Sequence, residues 1–294
     1  MLIDAQINCY QANMCFMKRL KVALFFGTEP NFEYEAFKYF ILYVNKIQTI
    51  YEFCFPDVRQ NYPFGKGKGR VNFDTSHEKL NSFIRTHRLE ADHFISIITN
   101  SFDNNYFFNA RKKTSIITTD IWEKKFSPPS LFEYLLHSIF TCLIYSQNVI
   151  EGTELTDEQK MIDIGSHKDE RGCIADFTRK KHEDRIAIAL GYICEEHSNE
   201  IETYYGVEYL NQIQFVINRK WIGEINEKES VAFNLKHIFK FNINKDSGFN
   251  KKLWDKIKDK FYEMPSTLIG EILKLIITVI LTYYFVKWGL IDKK

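Results

Sequence analysis

Apolar residues in the first third of the chain fall into two patterns that alternate. Lys21-Val-Ala-Leu-Phe-Phe-Gly27 is a short apolar run closed by glycine, which predicts a buried strand. From Phe32 to Ile47, the residues Phe32, Ala36, Tyr39, Phe40 and Val44 recur at the spacing of a helix that buries one face. Ile50-Tyr-Glu-Phe-Cys-Phe55 is a second strand, stopped by Pro56. Strand, helix and strand with joints this short predict a βαβ unit and a partly parallel sheet. Thr75-Ser-His-Glu78 has the form of a capping box and predicts a helix from near Glu78 to His87. His93–Thr99 and Thr114–Thr119 read as further strands, with Tyr106-Phe-Phe108 as a short edge piece.

Ser127-Pro-Pro-Ser130 supplies a cap and first-turn prolines for a helix over Leu131–Tyr145. That helix is apolar nearly all round, so it belongs inside the molecule. Gln147–Gly165 is polar and reads as loop. Helices follow at His182–Leu190, with Gly191 as C-cap, and at Glu195–Tyr204, Val207–Ile217, Ser230–Lys240 and Lys251–Tyr262. The expected class is α/β (α+β): a mixed sheet with flanking helices over residues 1–200, an all-α segment over 201–264, and a hydrophobic helix over 268–291.

The last helix carries an uncharged stretch, Leu275–Val286, extended by apolar flanks, with Lys274 and Lys287 placed to snorkel and Tyr283, Tyr284 and Trp288 where an interfacial belt falls. It predicts a transmembrane helix, hence a membrane protein with a single-pass C-terminal anchor and its main domain in the cytoplasm. Gly270, Lys274, Thr278 and Thr282 recur every four residues. Against another helix such a stripe predicts a homo-oligomer through the tail; alternatively the threonine hydroxyls bond back into their own helix and the stripe has no partner. The N-terminus has no basic region followed by an apolar core, so no signal peptide is expected.

The net charge of +1 over 294 residues gives no global field for nucleic acid. The basic runs Lys66-Gly-Lys-Gly-Arg70 and Arg111-Lys-Lys113 read as solvated loops, and the first is no Walker loop. Six cysteines in a chain of this length do not make a disulfide scaffold, and Cys54 and Cys142 lie in apolar runs that suit small buried thiols.

The strongest chemical signal is His167, Cys173, Cys194 and His197. Thiolate sulfur and imidazole nitrogen are what tetrahedral zinc prefers, and Cys-x2-His can grip one ion from a single turn. These four predict a structural Zn2+ site. A second candidate is Glu133 with His137, four residues apart on one helix face, as a catalytic acid and a metal ligand; the alternative is a buried ion pair or a satisfied core histidine.

The sheet-first order, the apolar helix at Leu131–Tyr145 and the Cys/His stretch after it resemble the archaemetzincins, a branch of the metzincin zinc peptidases. The resemblance covers about residues 20–200. In that family a second zinc sits on four cysteines. His167, Cys173, Cys194 and His197 would match them with histidine replacing cysteine twice, and Gly172-Cys-Ile-Ala-Asp-Phe177 is similar to the segment around the second. The family's His-Glu-x-x-His is replaced by Phe132-Glu-Tyr-Leu-Leu-His137, with Glu133 out of register. The resemblance therefore implies a degenerate member that kept the structural zinc and lost the peptidase: a membrane-anchored sensor or membrane effector, bacterial defence being one role of that kind. Two other readings stay open. One is an active zinc hydrolase drawing further ligands from His93 or Asp120. The other is a soluble α/β binding protein whose last helix mediates association.

Overall fold

The computed structural model describes residues 19–26, 33–57, 63–64, 69–104, 106–119, 122, 126–147, 167, 169–176, 184–246, 274, 277–284 and 287. Two compact units divide the chain, Met1–Phe249 and Asn250–Lys294.

The first unit is built on a five-stranded mixed sheet. Its strands are β1 (Leu20–Phe26), β2 (Tyr51–Cys54), β4 (His93–Ile98), β6 (Phe108–Ala110) and β7 (Thr114–Thr118), in the order β2-β1-β4-β7-β6. The first four in space run parallel and β6 closes the far edge antiparallel to β7. Two short strands, β3 (Arg70–Val71) and β5 (Ser101–Phe102), form a separate parallel pair. Helix α1 (Tyr34–Ile47) makes the β1-to-β2 crossover, and α2 (Phe73–Thr86) precedes β4. Helix α3 (Leu131–Gln147) follows the sheet, then α4 (Asp184–Leu190), α5 (Glu195–Tyr205), α6 (Val207–Ile217), a 3-10 turn (Lys220–Ile222) and α7 (Val231–Ile238).

Both faces of the sheet are covered, which is why its central strands are apolar without alternation. Val22, Leu24, Ile95, Ile97 and Ile117 point into one core with α1, α3, α6 and α7. Their neighbours Ala23, Phe25, Phe94, Ile98 and Ile116 point into the other, against Leu80 and Phe83 of α2. The larger core continues past residue 200: Ile201, Leu210, Val216, Val231 and Phe241 belong to the same cluster as Phe37 and Phe140. At the sheet's other edge, Asn45 of α1 acts as a substitute strand. Its Oδ1 accepts from Phe53 N–H at 2.8 Å and its Nδ2 donates to Phe53 O at 2.9 Å, so this part of the β2 edge is not left open.

Two local boundaries differ from the sequence for reasons the structure shows. Helix α2 begins at Phe73, ahead of the expected Glu78, because Asn72 caps it: Asn72 Oδ1 accepts from the N–H groups of Asp74 and Thr75 at 3.0 and 3.4 Å. The expected cap, Thr75, is already inside the helix and bonds back to Asn72 O. The edge piece expected at Tyr106–Phe108 is the strand Phe108–Ala110, shifted by its pairing with Ser115–Ile117. Gly191 closes α4 as expected, at φ +55°, with its N–H on Ala187 O. The polar stretch after Gln147, most of the loop at Gly65–Lys68, Asp120 and the helix expected at Lys251–Tyr262 lie outside the described residues.

In the second unit, residues 277–284 are helical. Among the described residues no helix is long and apolar enough to cross a membrane. The transmembrane helix, the single-pass anchor and the membrane localisation expected over 268–291 are corrected accordingly. Within the polar stripe, Thr278 Oγ1 donates to Lys274 O at 2.8 Å and Thr282 Oγ1 to Thr278 O at 2.7 Å.

Candidate metal centre

His167, Cys173, Cys194 and His197 come together as the spacing predicts. All four are buried, and their ligand atoms lie within 4.8 Å of one another. Cys194 Sγ is 3.0 Å from His167 Nε2 and 3.1 Å from His197 Nδ1, and Cys173 Sγ is 3.8 Å from His197 Nδ1. Donors sharing one tetrahedral zinc sit about 3.4–3.8 Å apart, from bonds of about 2.05 Å to nitrogen and 2.3 Å to sulfur. The observed separations bracket that range, so the four are close enough to hold a metal ion. Among the described residues no other group of three or more His, Cys, Asp and Glu is so placed.

Each ligand is held by ordinary chain geometry. Cys194 is the N-cap of α5, which puts His197 one turn on, above the same point. Cys173 is delivered by a tight turn that Asp176 organises: its Oδ2 accepts from the N–H groups of Arg171 and Cys173 at 2.8 and 3.0 Å. The two halves are joined by backbone. Ile174 N–H donates to Tyr192 O at 2.8 Å, and His167 N–H to Ala175 O at 3.3 Å. Tyr145, at the end of α3, donates its hydroxyl to Ala175 O at 3.2 Å and ties the turn to the core helix.

Burial and backbone dipoles act on the ligands in opposite directions. Burial pushes the Cys173 thiol up to about 12, while the N–H groups of Ala175 and Cys194, which point at its sulfur at 3.5 and 3.3 Å, favour the thiolate. Burial, with His197 and Arg171 close by, holds His167 below the ordinary imidazole range. A His167 imidazole held neutral and a Cys173 sulfur faced by two N–H donors suit ligation of a soft divalent ion.

Glu133 and His137 lie on the first two turns of α3. Glu133 Oε2 accepts from Ser130 N–H at 2.8 Å and from Ser130 Oγ at 3.0 Å, while Glu133 N–H donates to Ser130 Oγ at 3.3 Å. This reciprocal pair is the capping box of α3. The other carboxylate oxygen, Oε1, is 3.2 Å from Arg219 Nη1. His137 is pushed down to about 3 by burial and by the Arg219 charge, so it is neutral at ordinary pH. Its Nε2 is buried with no hydrogen-bond partner among the described residues. His93, a further candidate ligand, is committed to Ser115 Oγ at 2.8 Å across the sheet. Glu133 is thus ion-paired, with Arg219 and not with His137. Sequence reasoning missed its partner Arg219, which lies 86 positions away in the chain and carries no local signature. In the basic runs, Arg111 pairs with Asp74, and Arg70 Nη1 donates to the backbone carbonyl of Asp103.

Fold and site together define an α/β protein carrying a buried His2Cys2 cluster. Comparison of the chain with protein-family models, with curated proteins and with solved structures finds no match.

Proposed function

We propose that this chain is a zinc-stapled binding or sensing protein without catalytic activity, a metzincin-like domain that has kept a structural zinc and lost the peptidase. One observation carries the reading: two thiols and two imidazoles, all buried, have their donor atoms within 4.8 Å of one another. Two sulfur and two nitrogen donors with no position left for water fit a structural ion in place of a catalytic one. The order of sheet, buried helix and Cys/His cluster supports the likeness to the metzincins. The engagement of Glu133 with Ser130 and Arg219 supports the loss of chemistry.

Metal analysis of the purified full chain tests this. The expected result is one zinc per chain, lost together with thermal stability in Cys173→Ala and Cys194→Ala. Two ions, one of them removable without loss of stability, would instead favour a zinc hydrolase.

The tail helix is proposed as a self-association element. Ile277, Val279, Ile280 and Leu281 are all exposed, and an apolar helix surface in water favours a partner. Sedimentation of the full chain checks it: a concentration-dependent oligomer is expected, and Leu281→Lys should shift it to monomer. A monomer at all concentrations overturns it.

A further inference from the structure

Glu196 stands next to a ligand in sequence and across from a different one in space. Its Oε2 is 3.8 Å from His167 Nδ1, the ring nitrogen facing away from the thiolates, and accepts from Arg171 Nη1 at 3.0 Å. Arg171 in turn donates its Nε to Asp169 Oδ2 at 3.0 Å and its backbone N–H to Asp176, the residue that shapes the Cys173 turn. An exposed carboxylate is thus fixed over the outer face of a buried imidazole by a guanidinium anchored in the same turn.

We infer that Glu196 is the positioning residue of this metal centre, with Arg171 as its support. It receives the Nδ1–H of His167 and so commits that ring to binding metal through Nε2. The inference rests on the zinc reading above. Imidazole ligands regularly donate their second N–H to a carboxylate, which fixes tautomer and ring orientation and raises ligand basicity. The separation here, 3.8 Å, is longer than a hydrogen bond, and the reason lies on the other side of the ring. His167 Nε2 is 3.0 Å from Cys194 Sγ, closer than the about 3.6 Å that nitrogen and sulfur keep on one zinc. Filling the site widens that edge, and the ring's way out is toward Glu196. Zinc and the carboxylate then grip opposite nitrogens of one imidazole. His197 uses the reverse arrangement, since its Nδ1 is the atom facing both sulfurs. The centre is therefore built from one histidine of each tautomer, and the carboxylate enforces the His167 choice.

A bland alternative exists, in which Arg171 and Glu196 form only a surface ion pair worth little. Zinc affinity of the full chain, measured by competition with a chromogenic chelator, separates the two. Glu196→Ala should weaken zinc binding about 10–100-fold. Glu195→Gln, one residue away on the same helix turn, should leave it unchanged and controls for charge at the helix N-terminus. Histidine 15N spectra of the zinc-loaded chain should show one Nε2-bound and one Nδ1-bound ring, with the His167 Nδ1–H signal lost or shifted in Glu196→Ala. Wild-type affinity and an unshifted His167 signal in that variant would overturn the positioning role and leave the zinc reading intact. A wild-type chain that takes up no zinc would overturn both.

Discussion

Arg219 Nη1 lies 3.2 Å from Glu133 Oε1, and Arg219 Nη2 donates to Ala189 O at 2.6 Å. One side chain thus joins the N-terminal turn of α3 to the C-terminal end of α4, from a residue held at φ +61° just beyond α6. The only acidic residue in the first turn of α3 is thereby spent on packing three helices together.

Breaking that pair should destabilise the fold. Arg219→Met leaves the Glu133 carboxylate poorly compensated. Losses of 3–5 kcal/mol follow when a fully buried pair is cut, but both side chains here keep some solvent contact, so about 1–3 kcal/mol is expected. Urea unfolding of Arg219→Met, Glu133→Gln and the double variant checks it. The double variant should lose less than the sum of the two singles.

Zinc uptake should release protons, because the thiols ionise on binding and Cys173 in the metal-free chain is held up to about 12. Apparent affinity should therefore fall as pH falls. Calorimetric titration in buffers of different ionisation heat measures the proton count. Zinc binding that is independent of pH between 6 and 8, a range chosen as roughly spanning neutral, would contradict thiolate ligation.

Stability should fall with acidification well before the carboxylates protonate. His77 lies between Thr114 Oγ1 at 2.8 Å and Asn109 Oδ1 at 2.7 Å, and burial, with Arg111 nearby, pushes it down to about 4. Burial pushes His93 down to about 4 as well. Both folded-state values lie below the unfolded value of 6.5, so the unfolded chain binds more protons between those limits. The contribution is fully present above about pH 6.5 and is lost as pH falls toward about 4, with a slope of about 1.4 kcal/mol per pH unit for each histidine. Urea midpoints measured across that window in the wild type and in His77→Gln check it; the variant's slope should be shallower.

Three substitutions at helix boundaries should all destabilise, but to different degrees. Asn72→Ala removes the cap of α2 and should cost about 1 kcal/mol, while Thr75→Ala should cost less, although Thr75 looks like the cap in sequence. Gly191→Ala should cost more than either. It places a side chain at φ +55° with its Cβ 2.2 Å from the Ile217 carbonyl oxygen, which is backbone and cannot swing away. Thermal melts of the three variants provide the ranking.

Most of the sheet was legible because its strands are short apolar runs bounded by glycine, proline and polar turns. The long β1–β4–β7 centre needs no alternation to be recognised. The four metal ligands were legible for a related reason: Cys-x2-His concentrates two donors in one turn, and few apolar or charged patterns imitate it. What stayed hidden depends on tertiary contacts that no local pattern names. In the Arg219–Glu133 pair, the Asn45 clasp on β2 and the approach of Glu196 to His167, one partner is a polar helix residue whose local context resembles any helix surface. The tail misled because Leu275–Val286 reaches the length of a span only when its apolar flanks are added, and among the described residues no helix is long and apolar enough to cross a membrane.

The join between Ile174 N–H and Tyr192 O means that the chain enters and leaves the excursion from Cys173 to Cys194 at neighbouring points. An excursion pinned at its base tolerates changes of length, since doubling a loop adds only about 0.6 kcal/mol of closure entropy. Here that tolerance stops at α4, whose Ile188 lies in the larger core and whose Ala189 carbonyl holds Arg219, so Cys173 and Cys194 keep their places opposite each other only while α4 stays seated.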